Sequence, residues 1–238
     1  MPIPFVAADD ELTPFPDVSH ALNEPNGLLM AGGSLSPQRL LAAYRAGVFP
    51  WFEDGEPIMW WSPDPRCIIW PEEIRITRSL AKTLRQGKFE ITENRAYRDV
   101  MIACAAPRTD STGTWISDDM VVAYSVLNHF GLARSVEIWQ DKQLVGGLYG
   151  IDLGGVFVGE SMFSRASDAS KVALVYLAQC GRYQLIDCQL ETPHLNSMGA
   201  VLIPRARYVE LLAEHADRDS EVFTPDNARR AAAELRDS

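Results

Sequence analysis

Metal-binding spacings are missing from this chain of 238 residues: its four cysteines (Cys67, Cys104, Cys180, Cys188) form no CxxC pair, and its four histidines form no HxxxH or HExxH. Scattered cysteines of that kind point to reduced thiols in a cytosol rather than to disulfides or zinc, so no metal is expected. No apolar run approaches the roughly 18 residues of a membrane span. The opening stretch, MPIPFVAADDEL, has neither the basic start nor the apolar core of a signal peptide. A cytoplasmic location without a membrane partner is therefore the expectation. Positive charge is scarce as well. The net charge of −10 disfavours a general nucleic-acid coat and suits a cationic peptide or amine.

The charge that is present is unevenly spread. Residues 1–62 carry two basic side chains, Arg39 and Arg45, against eight acidic ones, whereas residues 66–108 carry nine basic against five acidic. Within that basic strip a helix is expected over 77–86, stopped by Gly87. It puts Leu80 and Leu84 on one side and Arg78, Lys82 and Arg85 on the other. A row of charges is ordinarily a solvated helix face. Here no acid shares the face, which makes the row a candidate for phosphate contacts.

Hydrophobic residues make up 47% of the chain, enough for one large domain or two smaller ones. The first sixty residues hold one clear helix, with Ser36 as N-cap, Pro37 in the first turn, Gly47 at the end, and Leu40, Leu41 and Tyr44 on its apolar side. VFPWFEDGEPIMWWSPDPR, residues 48–66, is expected as a proline-locked loop whose tryptophans either fill a small core or offer a platform to a flat ligand. SPDP at 62–65 cannot be helix and marks a boundary between residues 1–62 and 63–238. Further helices are expected at 95–105 with Asn94 as cap, at 118–130 with Ser117 as cap, from 168 with Ser167 as cap, and from Pro204 to about His215. Between 134 and 159 the period changes to that of strands, with turns at Asp141-Lys142 and at 152–155. QLIDCQ at 184–189 and 200–203 add two more strands. The order describes an α+β layer fold.

Familiar catalytic patterns fail. GESMF at 159–163 lacks the last glycine of a nucleophile elbow, which leaves Ser161 a weak nucleophile candidate. GGLYG and DLGG match neither phosphate-loop nor dinucleotide patterns, and their glycines suit turns and close strand packing. In QLIDCQ, residues two apart point to one face, about 6.5–7 Å from each other. Asp187 and Gln189 would then share a face opposite Ile186 and Cys188. A carboxylate there is either paired, capping the strand end, or functional. With Glu160, also near a strand end, these residues suit proton transfer and polar positioning without a covalent intermediate.

Taken together and in order, EPNGLLMAGGSLSPQRLLAAYRAGVFPWF, IMWWSPDPR, GTWI, VGGLYG, GESMFSRASDASK, LIDCQ and HLNSMGA resemble the bacterial leucyl/phenylalanyl-tRNA–protein transferases, over about residues 13–212. The resemblance implies a small N-terminal α/β domain (1–62), then a GNAT-like domain (63–238) with a mixed, mainly antiparallel sheet flanked by helices, and a polar tail from about 216. It implies transfer of Leu or Phe, and also Met, from aminoacyl-tRNA to the N-terminal Arg or Lys of acceptor proteins, marking them for degradation, without a cofactor. Carried over by position, Asp187 and Gln189 would be the catalytic pair, with Asp187 taking up or orienting the amine's proton. Glu160 would be a site carboxylate pairing with the acceptor's basic residue. Trp51 and Trp115 would hold the terminal adenosine, and Met162 and Leu177 would line the aminoacyl pocket. Arg78, Lys82 and Arg85 would meet the tRNA backbone. An acyl-CoA-dependent acetyltransferase is the alternative enzyme, weakened by the lack of an RxxGxG loop. A non-catalytic aminoacyl-tRNA-binding module would not need Asp187 and Gln189.

Overall fold

Proline and glycine keep the strands of the first sixty residues short. β1 (Phe5–Val6), β2 (Leu28–Gly32), β3 (Phe49–Pro50) and β4 (Met59–Trp61) form a four-stranded sheet in the order β1-β2-β4-β3. These are the coordinates of a computed structural model that describes residues 3–53, 55–106, 116–216, 231 and 234–235. Helix α1 (Pro37–Arg45) starts where Ser36 accepts a hydrogen bond from the Arg39 N–H, and it buries Leu40, Leu41 and Tyr44. The segment 48–66, expected as a loop, contains both β3 and β4. Pro50 is itself the last residue of β3, opposite Trp60 of β4, and the buried Trp60 donates its indole N–H to the Gly32 carbonyl at 2.8 Å.

The chain continues through β5 (Arg66–Ile69), α2 (Arg78–Gln86), β6 (Glu90–Glu93), α3 (Tyr97–Ala105), α4 (Asp118–His129) and the strands β7 (Ala133–Gln140), β8 (Gln143–Asp152) and β9 (Val156–Ser164). It ends through α5 (Ala169–Gln179), β10 (Leu185–Gln189), α6 (Pro193–Ser197), β11 (Val201–Ile203) and α7 (Arg205–His215). The strands from β5 onward form one seven-stranded sheet, ordered β11-β5-β10-β9-β8-β7-β6. Within it β9 and β10 run parallel, and the other neighbours are antiparallel. The fold is therefore α+β with a mixed, mainly antiparallel sheet flanked by helices, as expected.

Strand alternation divides the core in two. Ile68, Tyr149 and Val158 point to the face covered by α1, α3, α4 and α7, a cluster that also takes in Met30 and Trp60 of the first sheet. Ile69, Leu148, Phe157 and Ile186 point to the other face, under α2 and α5. The glycines of β8 serve close packing: a Cβ on Gly150 would strike the Val158 carbonyl and the Phe157 ring.

Two local expectations change, and one short helix joins the expected elements. Asn94 does not cap α3. It sits at φ 53 and accepts a hydrogen bond from the Ser135 N–H at 2.9 Å, so it ties the loop to β7. The residue preceding α5 is Asp168, at φ 68, rather than Ser167; its carboxylate accepts from the Thr83 hydroxyl of α2 at 3.0 Å. The stretch after β10 contains α6, started by Thr192 accepting from the Leu195 N–H at 3.2 Å.

Candidate functional site

The parallel ladder between β9 and β10 is short. It joins Leu185 to Val156, Ile186 to Phe157 and Asp187 to Val158, and there it stops, while β9 runs on to Ser164 against β8. The gap that opens past Val158 and Asp187 leads into a cavity of about 910 Å³. Glu160 and Gln189 are the first inward residues beyond the last pair. They meet across the gap, the Gln189 side-chain amide donating to Glu160 Oε1 at 2.9 Å. A parallel sheet that splays exposes polar backbone and side chains at depth, so the place suits chemistry.

Asp187 lies fully buried at the root of this gap, at 0% exposure. Its carboxylate accepts from Arg66 Nε at 2.8 Å and Nη2 at 2.7 Å, from the Tyr208 hydroxyl at 2.7 Å, and from the Gln189 backbone N–H at 2.9 Å. Arg66, itself buried, donates a third bond to the Gly47 carbonyl at 3.2 Å. Its guanidinium lies between the rings of Phe49 and Tyr208, 4.9 and 4.5 Å from their centroids. This bidentate ion pair joins β5, β10, α7 and the turn after α1. A pair of this kind is costly to break, since the survivor is a buried, uncompensated charge.

Glu160, at 9% exposure, has only neutral donors among the described residues. Oε1 receives the Gln189 amide and Oε2 the Tyr124 hydroxyl at 3.2 Å. Tyr124 in turn shares a short hydrogen bond with Tyr44 of α1. The rings of Tyr44, Tyr124, Tyr149 and Tyr97 meet edge to face in series, at centroid distances of 6.4, 6.1 and 6.0 Å. Burial behind this aromatic wall pushes the Glu160 carboxyl up from its ordinary 4.5 to about 7; the bonds from Tyr44, Tyr124 and Gln189 pull it down, and the nearby Asp187 charge adds to the rise. Burial, and then the Glu160 charge, holds the Tyr124 phenol well above its ordinary value, so it stays a donor.

Gln189 owes its position to an irregular backbone. The β5–β10 register slips between Asp187 and Gln189, with Ile68 opposite the first and Cys67 opposite the second. Gln189 adopts φ 63, and the Leu190 N–H closes back on the Cys188 carbonyl at 2.7 Å. A non-glycine residue held so costs about 1–3 kcal/mol, and such strain concentrates at working sites.

The cavity lining includes Trp51, Glu160, Met162, Leu177, Asp187 and Gln189, so six of the residues singled out in the sequence come together. Trp51 stands at its edge, 45% exposed. Trp115 lies outside the described residues. Arg78, Lys82 and Arg85 are exposed on α2, away from the lining, and among the described residues no ion pair engages them. Their helix reaches the site through α5, which contributes Leu174 and Leu177 to the wall. Arg66, counted in the sequence as part of a basic strip, is the buried partner of Asp187 instead. Arg66, Tyr208, Tyr44 and Tyr124 carry no local signal of their roles; the one hint for Tyr44 was its place on the apolar side of α1. Among the described residues no group of three or more His, Cys, Asp or Glu could hold a metal ion, and no helix is long and apolar enough to cross a membrane.

Comparison with known proteins adds an independent view. The family model described as leucyl/phenylalanyl-tRNA protein transferase matches residues 68–213, and the model of that family's N-terminal domain matches residues 33–64. A protein of Nitrosomonas eutropha named leucyl/phenylalanyl-tRNA–protein transferase is 56% identical over 212 residues, covering 88% of this chain and 91% of the relative. One of the same name from Pseudomonas aeruginosa is 56% identical over 207 residues, covering 86% of this chain and 92% of the relative. Overlap with solved structures is loose: a GCN5-related N-acetyltransferase from Kribbella flavida, at 11% identity, covers 74% of this chain and 63% of its own with a TM-score of 0.34.

Proposed function

The chain belongs to the leucyl/phenylalanyl-tRNA–protein transferase family, and from that premise we propose how its residues carry out aminoacyl transfer from tRNA to protein. The acceptors are proteins with N-terminal Arg or Lys, the donors carry Leu, Phe or Met, and the product is marked for degradation in the cytoplasm. The reaction is aminolysis of an activated ester and needs no cofactor. Residues 1–62 and 63–238 act as two domains, the first supplying the aromatic edge of the site and the second its polar centre.

In the transfer step the neutral α-amine attacks the ester carbonyl carbon. The C–N bond forms, the bond to the ribose oxygen breaks, the amine gives up a proton, and the ribose oxygen takes one. Glu160 is the acceptor of the amine's proton. It faces the cavity, and a carboxyl near 7 is half ionised at working pH, the poise a general base needs. Once protonated it returns that proton to the leaving oxygen. Gln189 spans the gap from Asp187 to Glu160 and fixes the carboxylate's direction. Asp187 holds Gln189 through its backbone N–H, itself locked by Arg66 and Tyr208. With its oxygens engaged by these donors and no exposure, it acts through position, and the proton uptake expected of it passes to Glu160.

Trp51 offers a face to the terminal adenine, worth about 1–3 kcal/mol for one stacked base. Met162 and Leu177 give the aminoacyl side chain an apolar slot, which rejects a Cβ branch by about 1–3 kcal/mol per misfit group. The row on α2 meets the tRNA backbone without reading its sequence. Holding amine and ester together supplies roughly 7–11 kcal/mol, against about 10²–10⁴-fold from a general base, so positioning is the larger share.

The observation that carries this reading is the hydrogen-bonded pair of Glu160 and Gln189 at the mouth of the β9–β10 gap. The test is transfer of labelled leucine from leucyl-tRNA to a peptide that begins with Arg. Label should move to that peptide, and not to one beginning with Glu. Equal labelling of both peptides, or of neither, contradicts the reading.

A further inference from the structure

Cys67 and Cys188 stand side by side on the strands that carry the site. Along β5, Arg66 and Ile68 point toward Asp187, so Cys67 points to the opposite face with Ile69. On β10, Ile186 and Cys188 share that same face, packed with the cluster under α5. The register slip sets Cys67 against the two-residue stretch Cys188-Gln189, and the two thiols are close enough that each shifts the other's titration. Cys67 is fully buried, whereas Cys188 is half-buried and contributes to the cavity wall. Neither thiol has a part in the transfer chemistry described above.

We propose that Cys67 and Cys188 form an oxidisable dithiol, closed to a disulfide by hydrogen peroxide or an organic hydroperoxide that enters through the cavity, with reversible loss of transfer. The peroxide meets Cys188 first, the thiol that the cavity reaches. Its sulfur takes one oxygen, giving the sulfenic acid and releasing water, or the alcohol from a hydroperoxide. Cys67 then attacks that sulfur; the S–S bond forms, the S–O bond breaks, and the hydroxyl leaves with the Cys67 proton as a second water. In sum two thiols lose two electrons and two protons to one peroxide. The neighbouring Cys188 thiol pulls the Cys67 thiol below its ordinary value, as a resolving thiol requires, while the Cys67 thiol, with burial, pushes Cys188 up. Access through the cavity, not thiolate character, makes half-buried Cys188 the first target, and the lowered Cys67 thiol is the better nucleophile for the second step.

Closing the bond draws Cys188 toward β5 beside the strained turn at Gln189, whose amide must reach Glu160. Displacement of a positioning group by about 1 Å costs on the order of 10²-fold in rate. That consequence rests on the function proposed above, whereas formation of the bond does not.

The full-length protein is exposed briefly to hydrogen peroxide, mapped by mass spectrometry without reduction, and assayed for leucine transfer before exposure, after it, and after dithiothreitol. The Cys67 and Cys188 peptides should appear linked, with transfer down on the order of 10²-fold and both changes reversed by the reductant. Cys67→Ala should show full transfer beforehand, no link, and most of its transfer after the same exposure. The inference is overturned if Cys188 runs on to sulfinic acid unlinked, if the link forms with transfer intact, or if Cys67→Ala loses transfer as fast as its parent. A protein inactive before exposure counts against the proposed function alone, because the peptide map still reports on the bond.

Discussion

Two carboxylates sit on adjacent parallel strands, Asp187 at 0% exposure and Glu160 at 9%, and their surroundings differ in kind. Asp187 faces a guanidinium, a phenol and a backbone N–H, all directed at it. Glu160 faces an amide and a phenol, with no cation among the described residues. Burial alone penalises the charge on both. A cation within bonding distance repays the penalty and turns a carboxylate into a structural joint, whereas neutral donors repay only part of it and leave the proton's position open near neutrality. The neighbour, more than the depth, decides which acid is scaffold and which is reagent.

Removing the cation tests the contrast most severely. Arg66→Met leaves Asp187 buried and uncompensated, so unfolding by urea should show a loss of about 3–5 kcal/mol. Adding Asp187→Leu to that variant should recover much of the stability, though not the transfer. A loss below about 1 kcal/mol for Arg66→Met would place the ion pair among the weak surface kind. Glu160 should behave in the opposite sense. Its carboxyl is raised in the folded state, so its contribution to stability is complete below the ordinary value of 4.5 and is lost as pH rises through about 7. The gap corresponds to about 3 kcal/mol.

A gentler change sharpens the contrast. Tyr124→Phe removes one of the bonds that pull the Glu160 carboxyl down, so the lower inflection of the transfer rate should move to higher pH. The stability lost should be about 1–3 kcal/mol. An inflection that stays in place would mean that Glu160 is not the group titrating.

The smallest effect lies outside both environments. Lys82→Ala, on the exposed row of α2, should weaken aminoacyl-tRNA binding modestly and lower the slope of log affinity against log salt by about 0.7–0.9. An unchanged slope returns that row to a plain solvated face.

The contrast also explains what a linear reading can reach. The helix over Arg78–Gln86 was legible because its signals are local: Thr77 accepts from the Leu80 N–H, and Gly87 closes the end at φ 59. The β7–β8 hairpin was legible because Asp141 and Lys142 both take the left-handed turn conformation. β3 and β4 escaped because strands of two and three residues set among prolines read as a loop. Glu160, Asp187 and Gln189 could be picked out as polar residues in strands, and motif resemblance added Trp51, Met162 and Leu177. The groups that set their chemistry could not be found this way. Arg66 meets Asp187 across 121 positions of sequence, and Tyr124 meets Tyr44 across 80. Nothing in either local pattern foretells its partner, so the division of roles between the two acids emerges only from the fold.

Single-turnover transfer of leucine to an Arg-starting peptide, followed across pH for the parent and for Glu160→Gln, bears most directly on that division. The parent rate should climb with pH through an inflection at about 7 from Glu160, separate from that of the acceptor amine at about 7.7–8.0. The variant should lose the lower inflection, keep the upper one, and run about 10²–10⁴-fold slower. A variant that transfers at the parent rate with both inflections intact would contradict the assignment of the proton to Glu160.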